Sequence, residues 1–244
     1  MAAMELIAVS LLSYLFGSIS FARIVTRIWS GKDVTKFKEP IEGEDEAYEA
    51  LSIGANIVSS KLGSKAGMVV SFLDILKVAI PTFVAKRMFP ASNWAPIVAS
   101  IFGMAGHIWP VYYRFHGGVG FSSIMGGLLI LDPIVLLITP FLGIILGLVI
   151  FKNMVVATLS WLWLLIPWFL ITKFDQAEFI IYAVVVNILF SLAMIPEIKI
   201  RMQLKKEGKS TNYMASNPMG RGYLKMAKAL GFMQDDEPED DAAE

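Results

Sequence analysis

The stretch GHIWPVYYRFHGGVG occupies residues 106–120 and is the most informative part of the chain. It begins as an apolar helix that contains His107, and it ends in three closely spaced glycines, Gly117, Gly118 and Gly120. Glycines at the point where a hydrophobic helix meets water leave backbone N–H groups open to an anionic ligand, because no Cβ blocks the approach. The stretch therefore predicts an anion site. The alternative is a tight turn that only connects two helices.

Composition places this stretch in a membrane protein. The chain has 244 residues, of which 56% are hydrophobic and only 17% charged, and its mean hydropathy is +0.62. A soluble domain would carry about 25% charged residues. The absence of cysteine excludes disulfides and thiolate chemistry, and two histidines argue against a histidine-rich metal site. We expect a multi-pass protein of the cell membrane with no histidine-rich metal site and no nucleic-acid partner.

Seven apolar segments determine the predicted fold. A spanning helix needs about 20 mostly apolar residues. The segments that qualify are residues 4–25, 66–84, 94–113, 119–131, 134–151, 154–171 and 179–195. The fourth is short and contains Gly126 and Gly127, so it can span obliquely or only partway. We predict an all-α integral membrane protein with about seven transmembrane helices in one polytopic membrane domain, residues 1–200.

Two polar segments flank these helices. Residues 30–64 form a predicted cytoplasmic loop that contains an acidic run at 39–49, and residues 201–244 form a charged cytoplasmic tail, partly disordered, with an acidic end. A protein partner for the acidic loop and the acidic tail is a further expectation. Lysine and arginine in the loops favour an outside N-terminus and a cytoplasmic C-terminus, because the outside face then receives only Lys86, Arg87 and Lys173.

Four ionisable side chains in or near the apolar segments are candidates for chemistry. Asp74 and Lys77 lie three residues apart on one face of the second span. Charges inside a membrane helix are costly, so they form a structural ion pair or line a polar cleft. Histidine is the only side chain with an unperturbed pKa near neutrality. His107 and His116 are therefore the catalytic base candidates, with helix packing and an interfacial surface position as their respective alternatives.

A second glycine-containing stretch, LSIGANIVSSKLG, occupies residues 51–63. It places Gly54 and Ala55 beside Asn56, and Lys61 and Lys65 follow. Small residues and polar groups next to lysine can bind a phosphate through backbone N–H and side-chain donors. Many cytoplasmic loops share this composition, so the stretch alone does not identify a phosphate site and has to be considered together with the other sequence blocks.

The order of four sequence blocks resembles one known family. The blocks are GSISF at 17–21, IGAN…KLGSKAG at 53–67, FLDILK at 72–77 and the glycine stretch at 106–120. They are similar to the GSIPF, IGATNVLRTLGKKAG, LLDxLKG and GHxFPVFxxFKGGKG blocks of the acyl-phosphate-dependent glycerol-3-phosphate acyltransferases of bacterial membranes, the PlsY family. The resemblance covers residues 10–130.

The resemblance implies a reaction as well as a fold. Members of the family have seven spans and cytoplasmic glycine motifs. They transfer an acyl group from acyl phosphate to the 1-hydroxyl of glycerol 3-phosphate, in the first acylation step of phospholipid synthesis, without a metal or an organic cofactor. The implied partners are the lipid bilayer and acyl phosphate with glycerol 3-phosphate or a related lipid precursor.

Several polar residues of the family motifs are replaced in this chain. Serine stands at the position of an asparagine, Asn56 and Ile57 replace a threonine and an asparagine, Ser60 replaces an arginine, and His116 and Val119 replace the two lysines of FKGGKG. The family's third motif, a histidine and an asparagine beside the last span, is also unmatched. The replacing residues are Ser52, Asn56, Ile57, Ser60, His116, Val119, Met194 and Glu197. Each charged donor lost from a phosphate site costs about 2–4 kcal/mol of binding or transition-state stabilisation.

The predicted site combines the pattern of the residues with the resemblance. His107 and His116 are the predicted catalytic residues, and nearby cations take over from the missing ones. The predicted substrate-binding residues are Ser52, Gly54, Ala55, Asn56, Lys61, Lys65, Lys77, Arg114, Gly117, Gly118 and Gly120.

Two other functions compete with the acyltransferase. The replaced motif residues favour a catalytically lapsed relative that binds lipid or a protein partner. A transporter or channel is disfavoured, because residues 134–195 carry almost no ionisable groups that could form a path.

Overall fold

The computed structural model describes residues 2–40, 47–49, 52–151 and 154–207, together with residues 225 and 229. Nearly all of the described chain is helical. The helices are α1 (Ala3–Gly17), α2 (Phe21–Ser30), α3 (Ala55–Leu62), α4 (Ser64–Met88), α5 (Trp94–Ile108), α6 (Phe121–Leu131), α7 (Val135–Ile144), α8 (Met154–Trp163), α9 (Leu165–Thr172) and α10 (Ala177–Lys206).

Each of the seven apolar segments corresponds to helix in the structure. Four helical stretches are long and apolar enough to cross a membrane, namely Ala3–Ser30, Ser64–Met88, Trp94–Tyr113 and Ala177–Leu204. Three shorter apolar helices are Phe121–Leu131, Val135–Gly147 and Leu159–Thr172. At 1.5 Å per residue, the 11 residues of α6 extend only about 16 Å, which is about half the hydrocarbon thickness of a bilayer.

Some predicted spans are interrupted. The first divides into α1 and α2 at residues 18–20, and the sixth divides into α8 and α9 at Leu164. The fifth continues beyond α7 as a π-helical segment, Ile145–Ile150. The predicted segments were therefore located correctly, but several of them are not single α-helices.

The polar segment 30–64 is more structured than a loop. After a 3₁₀ turn at Val34–Lys36, a short hairpin pairs β1 (Lys38–Pro40) with β2 (Ala47–Glu49) in antiparallel register, and α3 follows. The hairpin is the exception to the all-α prediction. Residues 41–46 of the acidic run and almost all of the acidic tail lie outside the described residues, so the expectation of a protein partner there stays a prediction.

Glycines allow several helices of the bundle to pack with their backbones in direct contact. A Cβ on Gly17 would collide with the backbone carbonyl of Gly103, and one on Gly106 would collide with that of Tyr14, so α1 and α5 pack with their backbones in contact. Gly126 of α6 meets the carbonyl of Ile75 of α4 in the same way. Small residues allow such approaches, which membrane helices use for packing. Three helices, α1, α4 and α5, consequently converge where the sequence blocks lie.

Candidate functional site

All four sequence blocks contribute to one small pocket between α1, α4 and α5. The first block supplies the turn between α1 and α2, the second supplies Ile53, and α4 supplies its two charged residues. The last block supplies His107 and Pro110. The lining residues are Gly17, Ser18, Ile19, Ser20, Ala22, Ile53, Asp74, Lys77, His107 and Pro110. Blocks that lie up to about 90 residues apart in sequence therefore build one site.

A buried charged cluster forms the inner wall of the pocket. Asp74 and Lys77 are each only 2% exposed, and the Lys77 Nζ atom lies 2.8 Å from Asp74 Oδ1. The same ammonium group donates a hydrogen bond of 2.8 Å to the Ile19 carbonyl. The Nδ1 atom of His107 lies 3.6 Å from Asp74 Oδ1. Asp74 thus faces both of the other groups, and the i, i+3 spacing on α4 is the reason that it can pair with Lys77.

The glycine turn and the second block are in direct contact beside this pocket. The backbone N–H of Ile53 donates a hydrogen bond of 2.8 Å to the Gly117 carbonyl. A Cβ on Gly54 would lie 3.9 Å from the Cα of Gly118. The two stretches that supply the predicted substrate-binding glycines are therefore in contact. Because α3 begins after Gly54 and α6 begins after Gly120, the contact also brings two helix N-termini to one region.

His107 supports the glycine turn through both its backbone and its ring. Its carbonyl accepts a hydrogen bond of 3.2 Å from the Gly118 N–H. A Cβ on Gly118 would collide with the His107 imidazole, and one on Gly117 would collide with the His107 carbonyl. These positions require glycine because of space, whereas Gly120 requires it because its φ is +93°. The imidazole is 7% exposed and lies between Asp74 and the turn.

A strained corner precedes the glycines. Arg114 and Phe115 have φ values of 52° and 61°, a left-handed conformation that costs a non-glycine residue about 1–3 kcal/mol. Hydrogen bonds hold the corner in place. The Phe115 N–H donates to the Pro110 carbonyl at 3.0 Å, and the imidazole Nδ1 of His116 lies 2.7 Å from the Arg114 carbonyl. The side chains of Arg114 and His116 are exposed.

The structure brings most, but not all, of the predicted site residues together. Lys77, His107 and the glycines lie at or beside the pocket, and Ala55 and Asn56 lie in the first turn of α3. Ser52 is half-buried next to Ile53. Lys61 lies in the last turn of α3, about 10 Å along the helix axis from its start, and Lys65 is exposed in the first turn of α4. Both lysines stay predicted substrate-binding residues.

Two residues at the site were absent from the sequence prediction, whereas Asp74 was already a candidate for chemistry because of its spacing from Lys77. Ser18 is fully buried and donates through its hydroxyl to the Tyr14 carbonyl at 2.8 Å; its place in the GSISF block was the signal. Arg23 donates to the His116 carbonyl at 3.0 Å. Nothing in the sequence indicates that contact, because 93 residues separate the two.

The replaced motif positions have ordinary structural partners. The Ser60 hydroxyl donates to the Ile57 carbonyl at 3.0 Å within α3. Val119 and Met194 pack against the main hydrophobic core, which includes Ile124, Leu162 and Tyr182. In the described part of the chain no group of three or more His, Asp or Glu side chains is placed to hold a metal ion.

These features define a multi-pass membrane protein with a polar site at one end of its helix bundle. A family model described as glycerol-3-phosphate acyltransferase matches residues 7–205. The chain belongs to this glycerol-3-phosphate acyltransferase family.

Individual relatives agree with this assignment. A glycerol-3-phosphate acyltransferase of Myxococcus xanthus is 35% identical over 126 residues, which are 52% of this chain and 60% of that protein. The chain thus spans less than two thirds of that relative. Glycerol-3-phosphate acyltransferase 3 of Dehalococcoides mccartyi is 31% identical over 221 residues, covering 84% of this chain and 95% of that protein. The crystal structure of PlsY, an integral membrane glycerol 3-phosphate acyltransferase, in its glycerol 3-phosphate form is similar with a TM-score of 0.61 and 27% identity, over 80% of this chain and 90% of that one.

Proposed function

We propose that this protein is a membrane acyltransferase of phospholipid synthesis that transfers an acyl group from acyl phosphate to glycerol 3-phosphate. The observation that carries the proposal is the convergence of four sequence blocks on one pocket beside the Gly54–Gly118 contact. In the reaction, the 1-hydroxyl oxygen of glycerol 3-phosphate forms a bond to the acyl carbon. The bond between that carbon and the phosphate oxygen breaks, phosphate leaves with the electron pair, and a base takes the hydroxyl proton.

The phosphate of the acyl donor fits the contact between the glycine turn and α3. The N-termini of α3 and α6 lie there. Each N-terminus carries partial positive charge and backbone N–H groups that have no partner within the helix. The glycines allow a ligand to approach the backbone closely. Preorganised donors of this kind stabilise charge that develops on a leaving phosphate.

His107 is the better placed of the two histidine candidates for the base. Its imidazole lies between the Asp74 carboxylate and the glycine turn, with Nδ1 3.6 Å from Asp74 Oδ1 and the Nε2 side of the ring against Gly118. The His116 ring is exposed and its Nδ1 atom already contacts the Arg114 carbonyl. We therefore assign His107 to the reaction and His116 to the conformation of the corner.

The proposed topology has seven spans, an outside N-terminus and a cytoplasmic C-terminus. The site lies at the C-terminal end of α5. Polar contacts gather near the opposite ends of the bundle helices, where Asn93 Nδ2 donates to Glu178 Oε1 at 2.7 Å and Trp168 Nε1 donates to Asp132 Oδ2 at 3.1 Å. The excess of lysine and arginine on the side of the site supports a cytoplasmic assignment for it.

A phosphate-release assay separates this proposal from a catalytically lapsed relative. Purified protein in detergent should release phosphate from acyl phosphate only when glycerol 3-phosphate is present. The lapsed alternative is favoured by Ser60 and Val119, which replace two cations of the family. If the wild type releases no phosphate above a heat-treated control, and Ser60→Arg with Val119→Lys restores release, the site has lapsed. If neither protein is active, the acyltransferase proposal is wrong.

A further inference from the structure

The side chain of Arg23, on α2, contacts the segment that precedes the glycine turn. One Nη2 hydrogen is donated to the His116 carbonyl at 3.0 Å, and the guanidinium carbon lies 4.7 Å from the centre of the Tyr113 ring. The Nε atom is buried and has no hydrogen-bond partner among the described residues. The side chain thus makes two contacts that both belong to the 111–116 segment, and its Nε donor remains unused.

The segment that Arg23 holds is the strained corner. Arg114 and Phe115 adopt left-handed backbone conformations, and residues of this kind persist only where surrounding contacts impose them. The carbonyl that accepts from Arg23 belongs to His116, the residue immediately before Gly117. A change in the corner is therefore transmitted directly to the backbone that meets Gly54.

Arg23 also places positive charge beside the glycine turn. Residues 116–120 contain no lysine or arginine, and Val119 packs against the hydrophobic core. The Asp33 carboxylate interacts electrostatically with Arg23. Hydrogen bonds from the backbone and side chain of Thr35 hold the pKa of Asp33 below its usual value, so this partner stays ionised at neutral pH.

We propose that Arg23 is a positioning residue for the acyl donor. It holds the corner at residues 114–116 so that the glycine turn keeps the shape in which it binds phosphate. This inference rests on the proposed function for the identity of the ligand.

Binding measurements on the full-length protein test this role. Wild type, Arg23→Gln and Arg27→Gln are purified in detergent, and their affinities for a non-hydrolysable acyl phosphonate and for glycerol 3-phosphate are measured by calorimetry. Arg27 is the matched control because it is an exposed arginine one turn further along α2. Arg23→Gln should weaken phosphonate binding about tenfold, the effect of losing one charge-assisted hydrogen bond, while glycerol 3-phosphate binding and the unfolding midpoint stay near the wild-type values.

Three results would overturn the inference: an Arg23→Gln protein that binds the phosphonate like the wild type, equal losses for both ligands, or an equal loss in Arg27→Gln. A wild-type protein that does not bind the phosphonate would also overturn it. If the wild type binds the phosphonate but forms no acylated product, the proposed function fails while the comparison of the Arg23 and Arg27 variants still decides the role of Arg23.

Discussion

Asp74 is the residue on which the charge balance of the pocket depends. It lies 2.8 Å from the Lys77 ammonium and 3.6 Å from the His107 ring, and its side chain is only 3% exposed. A buried ion pair is a poor source of net stability compared with apolar packing, but removing one member leaves the other charge buried without compensation. The ion pair therefore contributes more to the charge balance of the pocket than to the net stability of the fold.

The Asp74→Asn variant should unfold more readily than the wild type. Because Lys77 would then be buried without its counter-ion, we expect a loss of about 3–5 kcal/mol in the free energy of unfolding. Denaturant titration in detergent measures it. The double variant Asp74→Leu with Lys77→Met is the control and should be less destabilised than Asp74→Asn. Additive losses in the double variant would contradict the pairing.

His107 and His116 should respond differently to the same substitution. His107→Gln should lower kcat by about 10²–10⁴, which is the contribution of a general base. The substitution also removes the ring against which Gly118 packs. His116→Gln keeps the backbone of the corner and should retain most of the activity. Steady-state kinetics with both substrates make the comparison. Equal losses in the two variants would remove the distinction between these histidines.

At the scale of elements, the site is produced by the packing of helix ends. The break between α1 and α2, the start of α3 and the turn between α5 and α6 meet because glycines let α1 and α5 approach closely. The pattern of apolar residues predicts where these helices lie. It does not predict which backbone groups are in contact, because those contacts depend on how closely the helices pack in three dimensions.

Two glycine substitutions at the same contact should have unequal effects. In Gly118→Ala the new Cβ would collide with the His107 imidazole, and displacement of a site by about 1 Å can reduce a rate about a hundredfold. In Gly54→Ala the nearest atom would be 3.9 Å from the new Cβ, and the φ of −148° suits alanine. Turnover of Gly54→Ala should therefore fall less than that of Gly118→Ala, because the new methyl group displaces no protein atom. The reverse order of effects would show that the turn is not shaped by His107.

At the scale of the whole molecule, the apolar segments and the sequence blocks were predictable because both depend on local patterns. Each of the seven apolar segments coincides with helix, whereas α3 was not predicted, and the order of the blocks indicated the site. The interruption between α1 and α2 at residues 18–20 was not predicted, because small residues such as Ser18 and Ser20 also occur within uninterrupted membrane helices. The contact of Arg23 with His116 was also hidden, because only the folded chain joins two residues so far apart.

The topology gives a prediction for the molecule as a whole. The chain has no cysteine, so single cysteines can be introduced at the exposed positions Ser64 and Asp175 without competing labels. A membrane-impermeant maleimide applied to intact cells should label Asp175→Cys, between α9 and α10. It should label Ser64→Cys only after the membrane is opened, because loop charge assigns that end to the cytoplasm. Labelling of Ser64→Cys in intact cells would reverse the proposed orientation.

The central claim is that the pocket and the glycine turn transfer an acyl group to glycerol 3-phosphate. Phosphate release alone does not distinguish transfer from hydrolysis, whereas the acylated product does. The most direct measurement is therefore mass spectrometry of the lipid formed when purified protein receives acyl phosphate and deuterated glycerol 3-phosphate. We predict deuterated 1-acylglycerol 3-phosphate from the wild type and strongly reduced amounts from Gly118→Ala. No deuterated product from well-folded wild-type protein would contradict the account.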